Sequence, residues 1–158
     1  MPIPSKIREW RRRELRDGWT LPELIVVVAL IALLCGFVLP PLKRGFDRIA
    51  TRAAAREVMM ACFTARAQAI SLGVRIAVLL DASAGRVTVV AGRDTLMTRP
   101  VGASYGVTMV ATRDSMTYFP DGLGLGAANL SVILSRGKAV DTVLVSREGR
   151  VKLGARAR

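Results

Sequence analysis

The sequence contains no histidine, and this absence excludes whole classes of catalytic and metal site. Without histidine, the chain cannot form a Ser-His-Asp or Cys-His nucleophile pair or an HExxH zinc site. Its carboxylates stand singly, without the spacing of a calcium loop or of a paired acid site. We therefore predict a protein that has no catalytic residues, metal ions or cofactors and that is not an enzyme.

Cysteine is also scarce, since only Cys35 and Cys62 are present. If both residues belong to one helix, they are about 40 Å apart. A disulfide requires Cα atoms within about 7 Å of each other. We therefore expect two free thiols that serve as small apolar side chains.

Basic residues, by contrast, are abundant, and the net charge at pH 7 is +12. This charge fits binding to anionic lipid or to nucleic acid and does not distinguish the two. Arginines at positions 48, 52 and 56 follow one another at four-residue spacing. Such a row is typical of a solvated helix face, and a line of contacts to phosphate or lipid headgroups is the alternative.

An uncharged run of 19 residues extends from Leu24 to Leu42. As a helix it spans roughly 28 Å, close to the hydrocarbon thickness of a bilayer. A secretory signal peptide fits less well, because the run is long and no A-x-A-like cleavage site follows it. A plain signal anchor stays open. Pro40 and Pro41 either kink the helix or end it, and bases on both sides of the run leave its orientation open.

The entrance to this run, GWTLPEL, contains a carboxylate, Glu23, beside the apolar residues. A charge at bilayer depth costs about 2–3 kcal/mol, which indicates a function. The segment resembles the type IV prepilin signal, in which cleavage follows a glycine and a glutamate is the fifth mature residue. The resemblance implies cleavage between Gly18 and Trp19, N-methylation of Trp19, and subunit assembly through Glu23, which neutralises the new α-ammonium of a neighbouring subunit.

Two residues depart from the usual prepilin pattern. Trp19 stands where the family usually has phenylalanine, and it is a similarly bulky aromatic residue. Pro22 stands where the family commonly has isoleucine or valine. In the mature chain Pro22 falls in the first helical turn, where the backbone N–H has no partner in any case.

Between Phe46 and Leu72, apolar residues recur at steps of three and four, which predicts an amphipathic helix ended by Gly73. The predicted stripe comprises residues 46, 49, 50, 53, 58, 61, 62, 65, 69 and 72. The period then changes to two. The predicted strands are 74–80, 86–90, 94–98, 105–111, 115–119, 130–135, 139–146 and 150–153.

These elements predict an α+β fold, in which a long N-terminal helix packs on a small antiparallel β-sheet or sandwich. The predicted organisation has four parts. They are a leader (1–18), a transmembrane helix (19–42), an amphipathic helical stalk (43–73) and a β domain (74–158).

Three segments after the apolar run extend the resemblance: ARAQAI at the helix end, MTYFPDG, and EGRV near the C-terminus. They are similar to the GspH/FimT group of type II secretion pseudopilins and type IV minor pilins. The resemblance implies a pilin-like minor pseudopilin in a short periplasmic filament, processed by a prepilin peptidase and methylase. It also implies a single pass through the inner membrane, a cytoplasmic N-terminus and a periplasmic β domain. The alternative is a FimT-like minor pilin that binds DNA during uptake.

The last twelve residues contain five bases and one acid. Phosphate neutralisation needs little more than such a cluster, so nucleic-acid contact is one interpretation. The candidate contact residues are Arg150, Lys152, Arg156 and Arg158. No aromatic residue lies in this tail to stack on bases. A general solubilising or interaction role is therefore the favoured interpretation.

Overall fold

The structure is a computed structural model that describes residues 19–125 and 130–154, apart from the side chains of residues 38–40 and 125. The predicted leader, including Gly18, lies outside the described residues, as do Arg156 and Arg158. The chain divides into two compact units, Met1–Pro41 and Leu42–Arg158. Each unit is described by itself below.

A long helix, α1, is assigned from Leu21 to Leu72, and its first part belongs to the first unit. Within the described residues, α1 alone is long and apolar enough to cross a membrane, and none of its most apolar window is buried. The N-terminal part of α1 therefore has the character of a membrane anchor. The assignment continues past Pro40 and Pro41, so the interpretation that these prolines end the helix is wrong.

The second unit contains two antiparallel sheets. The first has the strand order β3-β2-β1-β5-β6 and the second β4-β7-β8-β9. The described strands are β1 (Ile76–Asp81), β2 (Arg86–Ala91), β3 (Asp94–Arg99), β4 (Thr108–Ala111), β5 (Ser115–Tyr118), β6 (Gly124–Leu125), β7 (Leu130–Arg136), β8 (Ala139–Val145) and β9 (Val151–Leu153). With α1, this architecture confirms the predicted α+β fold.

Alternating side chains along the strands form the core of the second unit. Ile76, Val78 and Leu80 of β1 are buried, and Val87 and Val89 of the partner β2 are buried as well. The second sheet repeats the pattern in β7 and β8. The period-two pattern of the sequence thus placed most strands correctly, because one face of each sheet is buried.

Two elements of the β domain differ from the prediction. The predicted strand 105–111 begins later, at Thr108, because a short helix, α2 (Val101–Tyr105), precedes it and ends at Gly106 with φ 61°. No strand was predicted between residues 119 and 130, where the structure has β6 (Gly124–Leu125). It pairs with β5 through two residues, too few to show an alternating pattern.

The core-facing side of α1 also differs from the predicted stripe. Phe46, Ile49 and Leu72 of the predicted stripe are 59–68% exposed, whereas Val58, Ala61 and other members are buried, so the stripe is not one continuous face. The helix buries mainly small residues, which allow its backbone to approach the sheets closely. These inner-face residues are Asp47, Thr51, Ala54, Ala55, Val58, Ala61, Cys62, Ala65 and Ala69.

Three ion pairs join α1 to the β domain. Asp47 Oδ1 lies 3.0 Å from Arg136 Nε, and Glu57 Oε1 lies 3.1 Å from Arg99 Nε. Arg52 Nη1 lies 3.4 Å from Asp141 Oδ1. Because one partner of each pair is substantially exposed, each contributes at most about 1 kcal/mol. Their main effect is to fix which face of the helix turns towards the sheets.

Candidate assembly surfaces

Glu23 lies in the first turn of α1, close to Thr20. The Thr20 backbone N–H donates to Glu23 Oε2 at 3.4 Å, and the Leu24 N–H donates to Thr20 O at 3.1 Å. A carboxylate that accepts this N–H resembles one half of a capping box, and its charge interacts favourably with the helix dipole. The bond is long and Glu23 is exposed, so the carboxylate retains capacity for a second, cationic partner. Trp19 is 66% exposed two residues before the helix.

The two turns with the sequences FPDG and EGR belong to different sheets and meet beside α1. Each is closed by a glycine N–H that donates to a carbonyl three residues earlier, at 2.9 Å for Gly122 and for Gly149. The Gly124 N–H donates to Arg147 O at 3.2 Å and so connects the turns directly. The segments that carry the family resemblance therefore join the first sheet to the second.

Only glycine fits at the centre of this junction. Gly149 has φ 73°, and an added Cβ would lie 2.7 Å from Gly122 O and 3.1 Å from Tyr118 Cε1. The Arg66 side chain of α1 covers the same point, since its Nε would lie 3.4 Å from that Cβ. Backbone, tyrosine and arginine atoms thus surround Gly149. The EGR and FPDG turns serve a structural role here.

Beneath the junction, Cys62 and Tyr118 lie side by side in the core. Burial raises the pKa of the Cys62 thiol to about 11, and an interaction with Tyr118 opposes this shift. Burial, and then the neighbouring Cys62, raise the pKa of the Tyr118 hydroxyl. Cys62 is a free thiol, as predicted, and so is the exposed Cys35. Both core groups therefore stay neutral at pH 7.

Arg150 and Lys152 line one open groove of about 440 Å³, together with Ser131, Leu144 and Glu148. Arg150 Nη2 lies 3.9 Å from Glu148 Oε2, and both side chains are more than half exposed. Such an exposed pair is weak, so the bases remain accessible to an anion. The structure thus brings together two of the four predicted nucleic-acid contacts. The other two lie outside the described residues.

A larger groove, of about 720 Å³, has the row Arg48, Arg52 and Arg56 along its helical wall and Asp141 opposite. Arg52 pairs with Asp141. Neither Arg48 nor Arg56 has an ion-pair or hydrogen-bond partner within residues 19–125 and 130–154. The row is solvated, as expected, but it lines a groove and does not lie on a flat surface.

A second set of side chains runs along α1 away from the core. Its members recur at alternating steps of three and four residues, and all are exposed except the half-buried Ala53. We name this set the outer seam: Leu42, Phe46, Ile49, Ala53, Arg56, Met60, Phe63, Ala67 and Ile70. The strict spacing was present in the sequence. The predicted stripe did not show this spacing, because it combined some residues of the outer seam with residues of the inner face.

Comparisons with known proteins bear on the second unit. A model of the GspH family, described as type II transport protein GspH, matches residues 54–149. The match includes the FPDG turn and ends at Gly149, within the EGR turn. A sequence comparison with curated proteins finds no match.

Solved structures with this fold come from two kinds of assembly. The type IV minor pilin FimU of Pseudomonas aeruginosa PAO1 aligns with a TM-score of 0.59 and 15% identity, over 69% of this chain and 91% of FimU. The minor pseudopilin EpsH of the Vibrio cholerae type 2 secretion system aligns with a TM-score of 0.53 and 13% identity, over 66% of this chain and 96% of EpsH. At such identities, the likeness shows a common fold.

Proposed function

The chain belongs to the GspH family of type II transport proteins, and on that premise we propose that it is a minor pseudopilin of a type II secretion system. It assembles with other pseudopilins into a short periplasmic filament, in which it lies near the tip. Its place in the broader class of minor pilins and pseudopilins follows from the family and the fold. The choice of the secretion system follows the description of the family.

One observation carries this proposal: α1 exposes apolar side chains along its whole described length. Its N-terminal part has the character of a membrane anchor, and its C-terminal part exposes Phe46, Ile49 and Met60 by 59–68%. A monomer in water gains nothing from such exposure, whereas lipid and neighbouring subunits bury it. Subunits that join head to tail generate an open helical fibre.

We further propose that a prepilin peptidase removes residues 1–18 by cleavage between Gly18 and Trp19, and that Trp19 is then N-methylated. Glu23 pairs with the α-ammonium of a neighbouring subunit and sets the axial register. The exposed carboxylate of Glu23, held only by a 3.4 Å contact, supports this role. The chain crosses the inner membrane once, with its N-terminus in the cytoplasm before cleavage and its β domain in the periplasm.

Mass spectrometry of the protein from membranes tests the processing step, and we expect a chain that begins at methylated Trp19. Incorporation of Glu23→Ala into sheared filaments tests the assembly step. We expect loss of incorporation with normal membrane levels, because the α-ammonium then lacks its partner. Glu148→Ala, at an exposed carboxylate of the β domain, is the matched control. An intact Met1, or normal incorporation of Glu23→Ala, contradicts the proposal.

A FimT-like type IV minor pilin that binds DNA is the second candidate. The placement of Arg150 and Lys152 on one groove supports it. Neutralising both, together with Arg156 and Arg158, is expected to weaken DNA retention, and the loss should depend steeply on salt. Unchanged retention at low and high salt excludes this function. Loss of protein secretion on deletion of the chain, with pilus formation intact, supports the first candidate.

A further inference from the structure

We infer that the outer seam binds an α-helix of a different subunit, and that this partner helix places a carboxylate opposite Arg56. The inference rests on the proposed function, because it names the partner chemistry of a filament subunit. It concerns partner choice, which neither the anchor nor Glu23 explains.

The spacing of the outer seam specifies a helix as the occupant. Alternating steps of three and four residues keep side chains in line along one side of a helix, and a second helix can pack its own side chains between them. The seam extends over 29 residues, from Leu42 to Ile70. Eight of its nine members are apolar. A strand or an irregular loop does not match this period.

The β domain covers the inner face of α1 but does not cover the outer seam. Ala54, Val58, Ala61 and Ala65 are already buried against the two sheets. Phe63 and Ile70 of the outer seam, by contrast, are 42% and 53% exposed. The two sets share one helix but point to different sides, so the β domain occupies the inner face and leaves the seam to another molecule.

The position of Arg56 in the outer seam argues against a second copy of this chain as the partner. It is the central member of the seam, seven residues from Ile49 and from Phe63. In an in-register parallel pair, Arg56 faces Arg56. The same contact arises in a fully overlapping antiparallel pair, because Leu42 then faces Ile70. A staggered pair instead buries Arg56 against an apolar side chain, and a buried charge without a partner is strongly destabilising.

The surroundings of Arg56 are also positive. Arg48 and Arg56 have no partner within the described residues, and both line the groove that begins at the seam residues Ile49 and Ala53. Asp141, the acid of this groove, is already paired with Arg52. A partner helix with a carboxylate at the matching seam position supplies the missing charge, and its neighbouring apolar side chains enter the groove. Charge complementarity therefore selects an acidic, apolar helix.

Photo-crosslinking of the full-length chain in native membranes tests this inference. A photoreactive amino acid replaces Phe63, or, as a control, Leu79 of β1, which has nearly the same exposure (42% against 41%). We expect at least about fivefold more adduct at 63 than at 79, with a subunit other than this chain. Sequencing of the adduct is expected to place a carboxylate within about one helical turn of the position that faces Arg56.

Charge variants of the same chain complete the test. Arg56→Glu is expected to lower the adduct at 63 about tenfold, whereas Arg56→Lys and the exposed control Arg93→Glu keep it within about twofold. Reversal of the partner carboxylate to arginine is expected to restore the adduct with Arg56→Glu. Protease resistance of the β domain shows whether each variant is folded.

Several outcomes overturn the inference while the proposed function stands. These are a homodimeric adduct, an adduct unaffected by Arg56→Glu, a partner helix without a carboxylate, or no adduct at 63 although the chain is present in filaments. Absence of the unmodified chain from filaments overturns the proposed function, and this inference with it.

Discussion

The inner and outer faces of α1 between Leu42 and Leu72 differ in side-chain size and in partners. The inner face carries alanines at 54, 55, 61, 65 and 69, and its Asp47 pairs with Arg136 of β7. The outer seam carries larger side chains such as Phe46 and Phe63, and the described residues leave them exposed. Small residues thus occur where the partner is permanent and close. Large apolar residues occur where a partner must come from outside.

The two faces are expected to differ most in how stability responds when one alanine on each face is enlarged. Ala65 is 0% exposed, and Ala65→Leu is expected to destabilise the fold by about 1–3 kcal/mol through overpacking. Ala67, two residues away on the outer seam, is exposed. Ala67→Leu is expected to change stability by less than about 0.5 kcal/mol. Denaturant unfolding of the full-length protein in detergent measures both, and equal effects contradict the assignment of the faces.

The sheet junction, which Arg66 of α1 covers, gives an effect of similar size. Gly149→Ala adds a Cβ 2.7 Å from Gly122 O at a positive φ, and we expect a loss of about 2–3 kcal/mol. Gly92 has a similar φ of 61° but open space around it. Gly92→Ala is therefore expected to cost about 1 kcal/mol. If thermal unfolding shows the same loss for both, crowding at the junction is not the cause.

The ion pair of the inner face is expected to have a smaller effect on stability. Asp47→Asn weakens the 3.0 Å pair with Arg136, and we expect a loss of about 1 kcal/mol that shrinks at high salt. Asp94→Asn, at an exposed position of β3, is the control and is expected to have almost no effect. Urea unfolding at two salt concentrations measures both variants, and a salt-independent loss would point to packing.

The smallest expected effect is a pH dependence from the inner-face thiol. The folded pKa of Cys62 is raised from 9.0 to about 11. In the unfolded chain the thiol ionises first, so its stabilisation is complete below pH 9 and is lost as the pH rises towards 11. Cys62→Ala is expected to flatten the fall of the unfolding midpoint between pH 8 and pH 10. An unchanged slope contradicts the burial of a neutral thiol.

Much of the fold was predictable because its signals are local. The alternation in Ile76–Asp81 and Arg86–Ala91 follows directly from one buried sheet face. The resemblance to the GspH/FimT group is confirmed by the family match over residues 54–149. The helix α2 and strand β6 were missed. They depend on tertiary contacts, such as the Arg136 Nη1 bond to Tyr105 O at 2.6 Å.

The faces of α1 show the limit of sequence periodicity more clearly. The predicted stripe combined exposed residues, such as Phe46 and Ile49, with buried ones, because hydrophobicity does not say which partner covers a side chain. Asp47 and Thr51, which are polar, turned out to be buried on the inner face. Asp47 is buried because Arg136 compensates its charge, a partner 89 positions along the chain that no local pattern reveals. The role of Glu23 remains a prediction.

The most direct test of the account compares stability with assembly after one change on the outer seam. Phe63→Glu introduces a charge on a side chain that is 42% exposed in the single chain. We predict unfolding within about 0.5 kcal/mol of the unmodified protein, but loss of the chain from the sheared filament fraction. Full incorporation of a folded Phe63→Glu chain would contradict the assignment of this face to assembly.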